Sequence, residues 1–299
     1  SIARLPSDWR GCSQSRLRAD DTSVTNTYCT RWVWQKGRPN PNELATQMPK
    51  ADEAALPDLN DCLDALGEAQ RKLHANGQHA VLLILQGLDA SGKDSLLRTL
   101  AQGLDPAGFR VYSFGRPSPE ELKHDYLWRV IPKLPAFGQV VAFNRSHYEA
   151  VLAERILEGA ETSKRFWQAR YRTINAIEKH WTDSGTQIIK VWLHQSAAEQ
   201  KQRLLKRLDE PRKRWKFDPS DLDTFAQREP YLSAMADMVE ATNTDEAPWH
   251  LIPADNKANA RAAVAGILLE HLARLAPHYP ESDAALDARY RALLDKDTP

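Results

Sequence analysis

The chain has 299 residues, of which 42% are apolar and 27% charged, the mixture of a soluble globular protein, so wholesale disorder is excluded. Forty basic residues balance forty acidic ones. A surface given over to nucleic acid or anionic membrane would be basic throughout, so any polyanion site must be a local cluster.

Residues 1–55 lack periodicity and carry Trp9, Trp32 and Trp34 among several prolines. They read as an irregular N-terminal arm whose tryptophans press on the main body. Its opening residues show no secretory apolar segment, which predicts a cytoplasmic protein. Cys12, Cys29 and Cys62 have no Cys-x-x-Cys spacing and make neither a disulfide framework nor a zinc site. From residue 56, Leu59, Leu63, Leu66 and Leu73 recur at helical steps, and Asn76-Gly77 supplies a stop. The apolar run 80–85 is far too short to cross a bilayer and reads as a strand buried on both faces. Similar runs follow at 109–114, 139–143, 187–193 and 249–253. Helical patterns over 120–130, 147–157, 164–181 and 197–208 lie between them. This alternation predicts an α/β fold, a parallel five-stranded sheet flanked by helices. The domain spans 56–275, and residues 276–299 form a C-terminal helical tail.

Directly after the first strand comes GLDASGKDS, residues 87–95. Its G-x-x-x-x-G-K spacing before a helical pattern is that of a P-loop. Gly87 and Gly92 allow the backbone of Ala90, Ser91 and their neighbours to turn N–H groups inward around phosphate oxygens. The helix N-terminus at Asp94 and Ser95 adds its dipole, and Lys93 reaches a phosphate. A P-loop ordinarily places Ser or Thr after the Lys to bind Mg²⁺; here that residue is Asp94. Asp89 adds a carboxylate that phosphates would repel unless a cation lies between, so it reads as a metal ligand. Asp94 is also explained as a helix N-terminal carboxylate.

The third strand ends in FNRSHYE, residues 143–149. A strand-end acid often holds the metal in such folds; Asn144 stands there and offers a carbonyl oxygen. Arg145 points at the same phosphates, and Glu149 is a further metal candidate. After the second strand, Arg116, Lys123 and Arg129 are candidates to grip an acceptor phosphate, with Leu127 and Trp128 assigned to the core. Residues 201–216 hold eight basic residues, Arg203, Arg207, Lys213 and Lys216 among them, against Asp209 and Glu210, a local net charge of +6. Placed after a strand and helix, this cluster, about 203–220, reads as a lid over a polyphosphate chain.

Five ordered stretches carry a resemblance: GLDASGKD (87–94), PEELKHDYLWR (119–129), FNRSHYE (143–149), RLDEPRKRWKF (207–217) and TDEAPW (244–249). Together they resemble polyphosphate kinase family 2. The resemblance implies a P-loop kinase fold with a helical lid, and phosphoryl transfer from inorganic polyphosphate to AMP or ADP. It implies Mg²⁺, with Mn²⁺ as substitute, and a dimer or tetramer. It implies adenine nucleotides, with guanine nucleotides as the further option, and no nucleic acid or membrane partner. It assigns catalytic roles to Asp89, Lys93, Asn144, Arg145, Arg203 and Arg207. The Asn-Arg-Ser-His-Tyr-Glu form resembles the subgroup that phosphorylates both AMP and ADP. An ATP-dependent nucleotide or small-molecule kinase and a non-catalytic polyphosphate sensor are the competing readings. A terminal phosphate acceptor, with a second pKa near ~6, arrives already ionised, so this chemistry needs no general base.

Overall fold

The computed structural model describes residues 28–36, 40–157, 159–161 and 163–296; Trp9, Cys12 and the first half of the expected arm lie outside them. Five strands, β1 (Ala80–Gln86), β2 (Phe109–Ser113), β3 (Val140–Asn144), β4 (Thr186–His194) and β5 (Trp249–Pro253), form one parallel sheet in the order β2-β3-β1-β4-β5. All seven residues of β1 are buried, as its continuous apolar run predicts. Along it the side chains alternate. Val81, Leu83 and Leu85 enter a layer with α1 (Leu59–Asn76), α2 (Lys93–Gly103) and, later in the chain, Lys257–Arg274. Leu82 and Ile84 face the other layer, which contains Lys164–Asp183 and Arg228–Thr242. Each such leucine or isoleucine, fully removed from water, contributes roughly 1.5–3 kcal/mol.

The remaining helices longer than one turn follow in order: α3 (Lys164–Asp183), α4 (Ala197–Asp209), α5 (Ser220–Ala226), α6 (Arg228–Thr242), α7 (Lys257–Arg274) and α8 (Ala284–Lys296). Helix α1 starts where Asp58 accepts from the N–H groups of Asn60 and Asp61, and ends on left-handed Gly77. The chain runs from β3 on one side of β1 to β4 on the other. The crevice beyond the C-terminal ends of β1 and β3 is therefore the switch point at which open α/β sheets place their ligands.

Two expected helices do not form. The 120–130 segment holds only a 3-10 turn, Glu121–Lys123, and further turns. Ser118 and Glu121 cap one another, but the Asp125 carboxylate takes the Leu127 N–H at 2.9 Å, an Asx turn that competes with helix propagation. Trp128 is exposed and stacked on His124 rather than in the core. The 147–157 segment forms two short 3-10 pieces, His147–Val151 and Ala153–Ile156. The Ser146 hydroxyl takes the Tyr148 N–H at 3.1 Å and diverts the backbone, and His147 and Tyr148 both turn inward to Glu178.

The described part of the arm packs on the sheet edge. Trp34 donates its backbone N–H to Trp249 and Leu251 donates to Trp32, both at 2.9 Å. Trp32 and Trp34 are buried, as expected. The tail contains α8, whose described side chains are exposed. Among the described residues no helix is long and apolar enough to cross a membrane.

Candidate active site

The glycine-rich loop leaves β1 at its centre and turns sharply into α2. Gly87 adopts φ +152°, where a Cβ would sit 2.9 Å from the Leu193 carbonyl oxygen, and Gly92 adopts φ +111°. Ala90 holds a left-handed φ of 63°, a conformation that costs a residue with a Cβ about 1–2 kcal/mol. Lys93 folds back across the loop. Its buried ammonium donates to the Gly87 and Leu88 carbonyls at 2.7 and 3.1 Å and to Ser91 Oγ at 3.3 Å. Burial pushes its pKa down to about 8 and Arg145 adds to the effect, against the pull of Asp89, Glu149 and Asp94.

At the end of β3, Asn144 donates from Nδ2 to Asp94 Oδ1 at 2.8 Å, and its Oδ1 is buried with no partner. Arg145 follows with φ +62° and an ion pair to Asp89. Burial raises the Asp89 pKa, but Arg145 and Lys93 outweigh it and hold the carboxyl below its ordinary value. Behind Arg145 lies Glu149. Burial raises its pKa against Arg145 and Lys93, and Gln86 donates to it at 2.9 Å in the amide orientation that satisfies both its ends.

These elements enclose a cleft of about 410 Å³, closed from the other side by α4 and the segment after it. Nine basic side chains and three carboxylates line it: Lys93, Arg98, Arg145, Arg203, Lys206, Arg207, Lys213, Lys216 and Lys257, with Asp89, Asp94 and Asp221. The excess of positive charge at partly dry walls draws in a polyanion. Arg207 pairs with Asp221 at 2.7 Å, and Lys216 lies 3.7 Å from Asp94. Asp89, Asp94 and the orphaned Asn144 Oδ1 are hard oxygen donors on one cleft. Among the described residues no three His, Cys, Asp or Glu side chains converge on one point. Two carboxylates and an amide oxygen fit Mg²⁺, which keeps waters and ligand phosphates rather than entering an all-protein cage.

Of the residues expected from sequence, the structure brings Asp89, Ala90, Ser91, Gly92, Lys93, Asp94, Ser95, Asn144, Arg145, Arg203, Arg207, Lys213 and Lys216 to the cleft. Gly87 contributes its carbonyl beneath it. Glu149 stands behind Arg145 rather than on the wall. Arg116, Lys123 and Arg129 do not line the cleft. Lys123 pairs with Glu120 at 2.8 Å, and Arg129 pairs with Glu121 while lying over the Phe114 ring. Arg203 differs from expectation in another way. It is 4% exposed, and Nε, Nη1 and Nη2 all donate to protein acceptors, so it braces the loop instead of presenting free donors. Sequence reasoning missed Arg98 and Lys257. Lys257 opens α7, more than 160 residues after the loop, and only packing brings its Cε within 3.9 Å of a Cβ on Gly92. Burial, with Arg203 alongside, pushes the Lys257 pKa down to about 8.

Comparison with known proteins gives this arrangement a family. The model of polyphosphate kinase 2 matches residues 50–279. An AMP/ADP-polyphosphate phosphotransferase of Meiothermus ruber is 44% identical over 233 residues, 78% of this chain and 86% of the relative. An ADP-polyphosphate phosphotransferase of Rhodopseudomonas palustris is 40% identical over 237 residues, 76% and 82% of the two chains. The crystal structure of polyphosphate kinase 2 from Arthrobacter aurescens superposes with a TM-score of 0.81 at 36% identity, covering 91% of this chain and 97% of that one. The chain belongs to the polyphosphate kinase 2 family.

Proposed function

We propose that this cleft transfers phosphoryl groups from inorganic polyphosphate to AMP and to ADP, giving ADP and ATP. The observation that carries the reading is the cleft's charge: nine basic side chains against three carboxylates around one glycine-rich loop, in a chain whose net charge is zero. Two polyanions must meet end to end, and their repulsion is the main barrier to be removed. In this reading Lys93 and Arg145 hold the transferring phosphoryl region, and Arg207, Lys206, Lys213 and Lys216, on the opposite wall, hold a longer chain. The acceptor is itself a phosphate, so the reading asks no side chain to remove a proton. That agrees with Asp89, whose carboxyl Arg145 and Lys93 hold below its ordinary value against the effect of burial, which makes it a weaker base.

Mg²⁺, when bound, neutralises neighbouring phosphate oxygens, and Asp89, Asp94 and Asn144 Oδ1 would hold it. In this reading AMP as well as ADP is the acceptor, because Asn-Arg-Ser-His-Tyr-Glu resembles the form of the subgroup that phosphorylates both, and the Meiothermus ruber relative is named for both acceptors. A dimer or tetramer is part of the same reading and is checked by light scattering.

The test exchanges the donor. With AMP as acceptor and Mg²⁺ present, long-chain polyphosphate should give ADP, and equimolar ATP should give it far more slowly. Faster product formation from ATP than from polyphosphate would assign the protein to the ATP-dependent kinases. Tight polyphosphate binding without any product would make it a sensor.

A further inference from the structure

Three successive carbonyls of the loop, those of Asp89, Ala90 and Ser91, are each held by a buried side chain. Gln195, in the turn between β4 and α4, donates from Nε2 to the Asp89 oxygen at 2.8 Å, and Gln200 of α4 donates to the same oxygen at 3.3 Å. Arg203, one turn on, donates from Nη1 to the Ala90 and Ser91 oxygens at 3.2 and 3.0 Å. Gln195, Gln200 and Arg203 are 1%, 0% and 4% exposed.

The two amides are themselves oriented. Arg203 Nη1 donates to Gln195 Oε1 at 3.1 Å, and Arg228 Nη1 donates to Gln200 Oε1 at 2.7 Å. With its oxygen taken by an arginine, each amide must turn its NH₂ group to Asp89. Arg228 also donates to the Gln195 carbonyl, so both glutamines are fixed from one point at the start of α6.

A trans peptide directs its C=O and N–H to opposite sides. Holding the Asp89 and Ser91 carbonyls on these side chains therefore turns the N–H groups of Ala90 and Gly92 to the side opposite Gln195, Gln200 and Arg203, while the Ser91 N–H is kept by the Leu88 carbonyl at 3.1 Å. The same bonds over-determine the left-handed backbone of Ala90, which needs such support to persist.

We propose that Gln195 and Gln200, oriented by Arg203 and Arg228, are positioning residues that set the loop's N–H groups for a phosphate chain; this rests on the functional reading above. None of the four need touch the substrate. Their role is to keep the cradle formed before a phosphate arrives, which lowers the ordering cost of binding.

The experiment measures tripolyphosphate binding by calorimetry for the full chain and for Gln195→Met, Gln200→Met and Arg228→Lys, each at a fixed interval below its own Tm. Leu272→Ala, a core change in α7, serves as a control destabilised without touching the loop. The proposal expects Kd to rise about tenfold in Gln200→Met and in Gln195→Met, with Arg228→Lys intermediate and Leu272→Ala unchanged. If either glutamine variant fails to fold, the other and Arg228→Lys carry the same comparison. Kd within twofold of the parent in the folded variants overturns the proposal while leaving the activity in place. A rise matched by Leu272→Ala overturns it as well, since the effect would be general loosening. A parent protein that neither binds tripolyphosphate nor turns over polyphosphate overturns the functional reading and this inference with it.

Discussion

Asn144 ends β3 with one polar atom tied to Asp94 and the other buried without a partner, an arrangement that suits a cation and poorly suits an inert structural amide. Replacing it by Asp changes a 2.8 Å hydrogen bond into a contact between like charges. The Asn144→Asp variant should then bind a divalent cation more tightly, seen as a several-fold lower Mg²⁺ concentration for half-maximal rate, and identical Mg²⁺ dependence would remove Asn144 from the metal site. Asp89 carries more weight, being both the partner of Arg145 and a candidate ligand. Its replacement by Ala should leave under a tenth of the rate in the same assay; retention of more than that would contradict the assignment. Much of this was legible in the residues. The G-x-x-x-x-G-K spacing marks the loop because its backbone needs Gly at Gly87 and Gly92, and Asp89, Lys93 and Arg145 follow from their places beside it. The contacts of Arg203 were not legible. A basic residue in a basic run reads as a ligand for anions, and only the positions of the carbonyls around it turn it into a brace.

The strands were readable to within a residue at each end, most plainly β1, an unbroken apolar run closed by Gln86. The segments 120–130 and 147–157 were not. Their patterns are helical, but side chains of Ser118, Asp125 and Ser146 bond to nearby backbone and divert it. The second of these segments rests on a buried cluster in which Lys190 of β4 donates to Glu178 of α3 at 2.8 Å, to Tyr148 at 3.0 Å and to the Thr242 carbonyl at 2.7 Å. Lys190→Met leaves the Glu178 carboxylate without its cation and should cost about 3–5 kcal/mol, read from the denaturant midpoint at constant slope. Adding Glu178→Gln should recover part of that loss, and strict additivity of the two would rule out the coupling. The cleft walls have a pH dependence of their own. Lys93 and Lys257, both near pKa 8, lose their charge as the pH rises through that value, whereas the arginines keep theirs. Accordingly kcat/KM for polyphosphate should fall between pH 7.5 and 9.5; a flat profile over that range would mean that neither lysine meets the polyanion.

At the scale of the whole molecule, charge is balanced in composition, yet among the described residues nine cations gather on one cleft, at the crevice where the strand order β2-β3-β1-β4-β5 changes direction. Of the buried histidines, two have their pKa values pushed down. Burial, with Arg228 nearby, pushes His194 down to about 4, and burial, with His250 nearby, pushes His271 down to about 3. Both pKa values are depressed on folding, so the unfolded chain takes up protons first. The stabilisation is complete above an unfolded value of ~6.5 and is lost as the pH falls toward 4. Depressed Glu178 and Asp89 act in the same sense at lower pH, while the raised Glu149 opposes them. The denaturant midpoint should therefore drop steadily from pH 7 to pH 4.5, more gently in His271→Gln. An unchanged midpoint would show that these rings are reached by protons in the folded state.

If one cleft passes phosphoryl groups from polyphosphate to two successive acceptors, a reaction started from AMP, Mg²⁺ and long-chain polyphosphate shows it when AMP, ADP and ATP are separated over time. ADP should appear first and ATP follow without any added ATP, and both should vanish in Lys93→Ala. ADP and ATP forming at undiminished rates in Lys93→Ala, or no nucleotide product from polyphosphate at all, would contradict it.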